Sequence, residues 1–525
     1  MSRRTACAAC AGMGLLVLGV LAVQISPVLN PPKWDEFIVV YDAHRVVTGQ
    51  VPYRDFFNFI PPGVFLVLAA VFKAVGASTL TAGRYVSSIG MIAFFGLTAW
   101  ALHRRGWSGA TSCLWAAVVP VALFGFWAVP SHHWMAAACA AALAVALARP
   151  EEAGAVAAFT GGLCTGLGGL FTQTAGLLLA ACSLVLLLQG SRRKLPALAA
   201  WAGGIAAIWG PVVMVLALLG ALPAFIRDVI LWPMRNYSRE GNENAGAALQ
   251  DLPWRVGDLW RALGAHTSFG QVVVSLAGLV LYGALVLALL ALVAVAMVQF
   301  ARILRRKSLG DPWPVAAVLA TFLMLGLTAR GSANWLHAVF ASALLAPLWL
   351  VAWGGWAAWP RGARIAGQVM LACLLASGAL YHTRGLWFHT PEAWEWTDVD
   401  RPIRDQAVNR WLNSPGVLAP GDTIAAFPEG GEVYLYSAPA AVGYTYFLPL
   451  DRDYNSMRDH QIVAEQILKN RPKWILVTPD MEQEYLDPAS PVGRILRHAY
   501  RRTGVIGNAV AYQRAESGGR LPADG

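Results

Sequence analysis

The chain has 525 residues, of which 57% are hydrophobic and only 13% are charged. A soluble globular protein carries about 25% charged residues, so this composition excludes a chain that is soluble along its whole length. The net charge of +10 divides near residue 380, because residues 1–380 carry +13 and residues 381–525 carry −3. We therefore predict a membrane domain over 1–380 and a soluble domain over 381–525, and we expect no nucleic-acid partner.

Eleven apolar segments approach the length of about 20 residues that a membrane-spanning helix requires. They are 11–29, 80–102, 110–130, 133–148, 154–171, 175–189, 196–220, 271–299, 313–328, 337–353 and 365–381. The shorter apolar stretch 61–75 opens with Pro61-Pro62-Gly63, and we predict that it lies at the membrane interface or re-enters the membrane. The predicted fold class is a mostly α, polytopic bundle of about eleven spans, followed by a C-terminal α/β domain.

Basic residues mark one side of this predicted bundle. They recur at every second turn between spans, at Arg3, Arg4, Arg104, Arg105, Arg149, Arg192, Arg193, Lys194, Arg302, Arg305, Arg306, Lys307, Arg361 and Arg364. Because basic loops stay in the cytoplasm, we expect a cytoplasmic N-terminus and a periplasmic tail at the inner membrane of a bacterium. Loops 30–79 and 221–270 then face the periplasm. We interpret Met1–Pro27 as an uncleaved first span rather than a signal peptide.

Acidic residues are concentrated just after the first span, at Asp35, Glu36, Asp42 and Asp55. The spans contain almost none, which argues against an ion-coupled transporter and favours chemistry at the outer surface. Asp35 precedes a helical pattern that ends at Gly49. The local pattern leaves two interpretations open, a helix N-cap or a chemical role.

Several motifs follow one another in chain order. The first span is followed by Asp35-Glu36, by the Gly-x-x-Pro-Tyr-x-Asp step of 49–55, and by Pro61-Pro62-Gly63. The Gly-rich segment 166–173 and the turn 330–337 come later. Together these motifs resemble those of the GT-C superfamily of membrane glycosyltransferases. The pattern is closest to the branch of protein O-mannosyltransferases and lipid A aminoarabinose transferases. It covers about residues 11–380, with its specific motifs in 34–63.

This resemblance implies transfer of a sugar from a polyprenyl-phosphate donor to a glycan, lipid or protein acceptor, with inversion at the anomeric carbon. A hydroxyl is a poor nucleophile at neutral pH, so a nearby carboxylate must accept its proton. The resemblance gives that role to Asp35, with Glu36 positioning the acceptor or tuning Asp35. Repulsion between the two adjacent acids is expected to raise the pKa of at least one of them.

The leaving phosphate requires cations, and an Arg guanidinium matches phosphate oxygens especially well. The outer-face candidates are Arg330, His337, Arg54, Arg84 and Lys33. An interfacial Arg330 that only reaches toward lipid headgroups is the alternative interpretation. Further candidates for substrate binding are Tyr53, Asp55, Gln173, His132 and His133. For the two adjacent histidines, binding of a metal or a hydrogen bond to the donor is one interpretation, and polar turn residues at an interface are an equally good one.

Two features limit what else the sequence predicts. The resemblance implies an acid and a Lys before the proline step, as in the aminoarabinose transferases, where this chain has Asn58-Phe59-Ile60. This departure disfavours a divalent-cation site, and we assign none. The tail alternates helices with strands near 423–427, 474–478 and 505–512, and it contains no Gly-rich phosphate loop. We expect this domain to shape access of the acceptor. A transporter or lipid flippase, and a non-catalytic scaffold, remain the alternative functions.

Overall fold

The computed structural model describes most of the chain. The described residues are 3–26, 29–236, 256–257, 260–261, 268–305, 310–330, 335–354, 361–388, 400–427, 431–443 and 457–515. The apolar region contains helices α1 (Arg3–Ile25), α2 (Trp34–Val47), α3 (Gly63–Val75), α4 (Leu80–Arg104), α5 (Gly109–Ala116), α6 (His132–Ala146), α7 (Ala155–Phe171), α8 (Gln173–Gly190), α9 (Lys194–Leu218), α10 (Leu222–Phe225), α11 (Trp232–Asn236), α12 (Phe269–Arg305), α13 (Trp313–Arg330), α14 (Trp335–Ala352), α15 (Arg361–His382) and α16 (Gly385–Phe388).

The protein is a multi-pass membrane protein. Seven helical segments of the described chain are long and apolar enough to cross a membrane: Cys7–Ile25, Leu80–Arg104, Gly109–Phe126, Gln173–Gly190, Lys194–Leu218, Phe269–Arg305 and Arg364–His382. The four other predicted spans are also apolar helices, but they are shorter: His132–Ala146, Ala155–Phe171, Trp313–Leu327 and Leu336–Ala352. At 1.5 Å per residue they fall short of a hydrocarbon core of about 30 Å, so the predicted count of eleven stays a prediction.

Helix α3 has 13 residues and is too short to cross a membrane. It starts against the last turn of α7, where a Cβ on Gly63 would lie 2.6 Å from the carbonyl oxygen of Leu170. Gly76, in the left-handed region at φ 78°, ends the helix four residues before α4 begins. The interfacial or re-entrant helix that we expected from Pro61-Pro62-Gly63 stays a prediction.

The described part of the tail contains a four-stranded sheet. Its elements are α17 (Arg401–Arg404), α18 (Ala407–Leu412), β1 (Ile424–Phe427), α19 (Gly431–Tyr436), α20 (Met457–Asn470), β2 (Trp474–Val477), α21 (Glu482–Tyr485), α22 (Pro491–Ala499), β3 (Tyr500–Ile506) and β4 (Ala509–Arg514). The strand order is β1-β2-β4-β3, with β1 and β2 parallel and the other pairs antiparallel. The predicted single strand at 505–512 is wrong, because Gly507 at φ 60° turns the chain into a hairpin.

Helix α2 belongs to the packing of both regions. Its Phe37 and Val40 side chains are buried in the core of the bundle. Ile38 instead joins a core formed mainly by the tail, and Tyr41 joins a second tail core. The Ala440 backbone N–H donates to the Tyr41 hydroxyl at 3.0 Å. The tail thus packs directly on this helix. Side chains of α2 contribute to the core of the bundle and to both cores of the tail.

Candidate active site

Asp35 lies in the first turn of α2, with Lys33 at the N-cap position. The interpretation of Asp35 as the N-cap is therefore wrong. The Asp35 side chain is mostly buried, and the Trp127 side chain hydrogen-bonds it. Burial raises the pKa of Asp35 to about 7, because desolvation disfavours the carboxylate, and the hydrogen bond from Trp127 opposes this shift. At neutral pH this carboxyl group both accepts and releases a proton readily.

The Glu36 side chain points away from Asp35 into the protein and forms a buried ion pair with Arg84. The two side chains are 0% and 1% exposed. The Arg84 Nε and Nη2 donate to the carboxylate at 2.6 and 2.7 Å, and Nη1 donates to the Asn30 carbonyl at 2.7 Å. A buried charge is tolerated when it is paired and hydrogen-bonded in this way.

This ion pair corrects two expectations. Arg84 has its guanidinium committed to Glu36 and to main-chain carbonyls, so it does not serve as a phosphate ligand. Glu36 holds the start of α2 against α4 through this pair, and its predicted role in positioning the acceptor or tuning Asp35 stays a prediction. The raised pKa of Asp35 comes from burial, whereas we expected it from repulsion by Glu36.

The segment that carries Trp127 is held by the end of α15. After α5 the chain forms a π-helical turn, Val119–Leu123, and a 3-10 turn, Phe124–Phe126. The Phe126 ring lies edge-on against the His382 ring, with centroids 4.9 Å apart. Gly125 lies so close that an added Cβ would overlap the His382 ring. The sequence analysis missed this segment, because Trp127 lies inside an apolar run that it assigned to a span.

Three of the predicted histidines meet. His132 and His133 start α6, with ring centroids 4.0 Å apart, and the His337 ring of α14 lies 6.3 Å from His133. The indole N–H of Trp134, the next residue, donates to the Trp127 carbonyl at 2.8 Å. This bond connects the three histidines to Trp127, the residue that hydrogen-bonds Asp35. Within the described ranges, no three His, Cys, Asp or Glu side chains are placed to hold a metal ion.

Arg330 was a leading candidate for phosphate binding. It is the last residue of α13, seven positions before His337. Its side chain lies outside the part of the chain that the structure describes, so its predicted contact with the donor stays a prediction.

Tyr53, Arg54 and Asp55 form a turn and bond mainly to each other and to nearby main chain. Arg54 and Asp55 are an exposed ion pair at 2.8 Å, and Asp55 also accepts the Val51 N–H at 2.7 Å. Tyr53 adopts φ 69°, which is costly for a residue with a Cβ, and its hydroxyl donates to the Ile60 carbonyl at 2.8 Å. These contacts hold the turn together, and the predicted contact of the three residues with substrate stays a prediction.

Gln173 fastens two loops together. Its amide nitrogen donates to the Phe59 carbonyl at 2.9 Å and to the Val229 carbonyl at 2.8 Å. Both amide hydrogens are thereby used by the main chain. The predicted contact of Gln173 with substrate stays a prediction.

An apolar groove of about 400 Å³ lies between α3, α4, α6 and α7. Its walls include Val67, Ile89, Met135 and Leu167, and no predicted site residue is among its lining residues. The groove is therefore separate from the position of Asp35.

Comparison with known proteins shows a shared fold without a sequence family. No family model matches the chain, and no curated protein matches it. Among solved structures, it is similar to ArnT from Cupriavidus metallidurans bound to undecaprenyl phosphate, with a TM-score of 0.54, 13% identity, and coverage of 96% of this chain and 98% of that chain. The Archaeoglobus fulgidus oligosaccharyltransferase in the apo form gives a TM-score of 0.49 at 12% identity, covering 97% of this chain and 75% of that one. The arabinofuranosyltransferase AftD from Mycobacteria gives 0.41 at 14% identity, covering 98% and 40%.

The likeness to ArnT extends over almost all of both chains, so this protein has the fold of the GT-C glycosyltransferases. The likeness concerns the fold alone. The superfamily and the particular branch expected from Asp35-Glu36 and Pro61-Pro62-Gly63 stay predictions at 13% identity.

Proposed function

We propose that this protein is a membrane glycosyltransferase that moves a sugar from a polyprenyl-phosphate carrier to a hydroxyl group of an acceptor. The observation that carries the proposal is the Asp35 carboxyl, whose pKa of about 7 suits a general base at neutral pH. The GT-C fold supports it, as does the ArnT structure, which is bound to undecaprenyl phosphate. The acceptor is a glycan, a lipid or a protein of the cell envelope.

The proposed reaction is a single displacement. The acceptor oxygen forms a bond to the anomeric carbon while the bond from that carbon to the phosphate oxygen breaks, and the electron pair leaves with the lipid phosphate. Asp35 takes the hydroxyl proton, and the configuration at the anomeric carbon inverts. The protonated Asp35 then returns its proton to solvent, which is rapid for a group with a pKa of about 7.

The histidine group serves the sugar in this proposal. His132, His133 and His337 lie together, and Trp134 links them to Trp127 beside Asp35. Neutral imidazoles donate and accept hydrogen bonds, as recognition of sugar hydroxyls requires. We place the reaction at the periplasmic face of a bacterial inner membrane, following the distribution of basic residues between the spans.

The test is a transfer assay in vesicles with polyprenyl-phosphate sugars and an extract of cell-envelope acceptors. Asp35→Asn removes the base at nearly constant shape and is expected to lower transfer by about 100-fold or more. Asp405→Asn, at an exposed position on the tail, is the matched control and is expected to transfer like the wild type. An Asp35→Asn variant that transfers sugar like the wild type would exclude Asp35 as the base. A wild type that transfers no sugar in this assay would instead favour lipid movement without transfer.

A further inference from the structure

Lys33 and Arg384 come from distant parts of the chain, but their segments touch. The Gln24 amide nitrogen donates to the His382 carbonyl at the end of α15. Gly385 packs directly on the backbone of Leu29, leaving no space for a Cβ between them. The loop that leads into α2 and the residues that follow α15 therefore form one packed unit. Lys33 lies two residues before Asp35 in that unit.

Positive charge exceeds negative charge at this place. Arg84, Lys33 and Arg384 supply three cations, while Glu36 is the buried acid that pairs with Arg84. Within the described residues, neither Lys33 nor Arg384 has an ion-pair partner, and both are partly buried. Burial and the nearby charges of Arg384 and Arg84 lower the pKa of Lys33, and Glu36 partly offsets them. Cations held together with little water are stabilised by binding an anion.

The Arg384 guanidinium is held in place before any ligand arrives. Its Nη1 donates to the Tyr381 carbonyl at 3.1 Å, and its central carbon lies 4.5 Å from the centroid of the Tyr381 ring. The first contact uses one guanidinium N–H, and the second is to the face of the ring. Most of the guanidinium N–H groups therefore remain available to bind a ligand. A fixed guanidinium fork matches the oxygens of a phosphate.

Lys33 and Arg384 are connected to Asp35 through two different parts of the chain. Lys33 is joined to it through the first turn of α2. On the other side, the Tyr381 ring lies 6.1 Å from that of Phe126, which precedes Trp127, the residue that hydrogen-bonds Asp35. A displacement at one carbon requires the base and the leaving group to be held in one site.

We propose that Lys33 and Arg384 bind the phosphate that links the sugar to the polyprenyl chain. The inference rests on the proposed function and adds the residues that neutralise the leaving group. Of the cations expected from the sequence, Arg84 is committed to Glu36 and Arg54 to Asp55. Arg384 was not among them, because nothing in a single sequence distinguishes it from the other basic residues of the tail.

The experiment measures binding separately from transfer. The purified full-length protein in nanodiscs is titrated with undecaprenyl phosphate and with undecaprenol, which has the same chain without the phosphate, and bound lipid is counted by native mass spectrometry. The wild type is expected to prefer the phosphate lipid. Lys33→Met and Arg384→Gln are each expected to reduce that preference by about tenfold or more, because each removes a charge-assisted hydrogen bond to the phosphate. Lys33→Arg keeps the charge and is expected to keep most of the preference.

Each outcome decides one proposal. Wild-type preference in the double variant Lys33→Met/Arg384→Gln would overturn the phosphate site, and the glycosyltransferase proposal would still stand if the wild type transfers sugar. A wild type that binds through these cations but transfers no sugar would leave the phosphate site standing and overturn the proposed function. Displacement of the lipid by 10 mM inorganic phosphate would indicate a site for free phosphate and overturn the lipid assignment. Arg497→Gln, an exposed tail position, is the control and is expected to bind like the wild type.

Discussion

Two adjacent carboxyl groups at the start of α2 have different tasks because a helix separates neighbouring side chains by about 100°. Glu36 faces α4 and is neutralised by Arg84. Asp35 faces Trp127 and carries the raised pKa of about 7. Asp35 therefore titrates near neutrality, whereas the charge of Glu36 holds the helix against α4.

The pH dependence of transfer is expected to follow the ionisation of Asp35. The base acts only as a carboxylate, so the rate should rise about tenfold per pH unit below pH 7 and level off above it. The measurement is the initial transfer rate of the vesicle assay between pH 5 and pH 9. A rate that is flat between pH 5 and pH 8 would contradict a base with this pKa.

Trp127→Phe removes the hydrogen bond that favours the charged form of Asp35. The pKa of Asp35 should then rise, so the inflection of the pH profile should move to higher pH, and transfer at pH 6.5 should fall by roughly three- to tenfold. The plateau at high pH should change less. Trp100→Phe, on an exposed face of α4, is the control and should leave the inflection in place.

The ion pair of Glu36 and Arg84 should matter for stability. Glu36→Gln leaves the Arg84 charge buried without its counter-charge, which is expected to cost about 3–5 kcal/mol. The double variant Glu36→Leu/Arg84→Met removes both charges and should regain much of that loss. Thermal unfolding in detergent measures both effects. A Glu36→Gln variant with the melting temperature of the wild type would contradict the structural role.

At the scale of elements, α2 is held between the bundle and the tail. Phe37 and Val40 pack on the bundle, while Ile38 and Tyr41 enter the two cores of the tail. Because Asp35 lies in the first turn of this helix, a shift of the tail moves the base. The tail therefore contributes to the position of Asp35, in addition to its expected influence on acceptor access.

Gly431→Ala tests this coupling. A Cβ on Gly431 would lie 2.8 Å from the main-chain carbonyl carbon of Phe37, so the tail and α2 must separate, at a cost of about 1–3 kcal/mol. Transfer is expected to fall at least several-fold. Gly326→Ala, where an added Cβ meets nothing within 4 Å, is the control. Wild-type transfer by the Gly431→Ala variant would show that Asp35 does not depend on this contact.

The sequence predicted most of these elements and missed the connections between them. A helix lies at every predicted span, because the length of an apolar run can be read from neighbouring residues alone. The turn formed by 119–126 was hidden inside an apolar run, because a π-helical turn has no compositional signature. The sequence also singled out Asp35 and the three histidines, which the structure connects through Trp127 and Trp134, and their roles stay predictions. It assigned Arg84 a wrong role, because its partner Glu36 lies 48 residues away and burial is not visible in a single sequence.

At the scale of the whole molecule, the tail and the bundle are expected to fold as one unit. Truncation after Phe388 would expose Ile38, Tyr41 and Phe57, each of which is buried against the tail. Burial of one such side chain is worth about 1.5–3 kcal/mol, so the truncated protein should be far less stable. Size-exclusion chromatography of a fluorescent fusion measures the folded fraction. A truncated protein that elutes as a single sharp peak and transfers sugar would contradict this.

The two hydrogen bonds of Gln173 constrain how the molecule can open. One amide joins Phe59, from the loop after the first span, to Val229, from the loop after α9. Any movement that separates these two loops must therefore break at least one of the two hydrogen bonds, so Gln173 resists their separation.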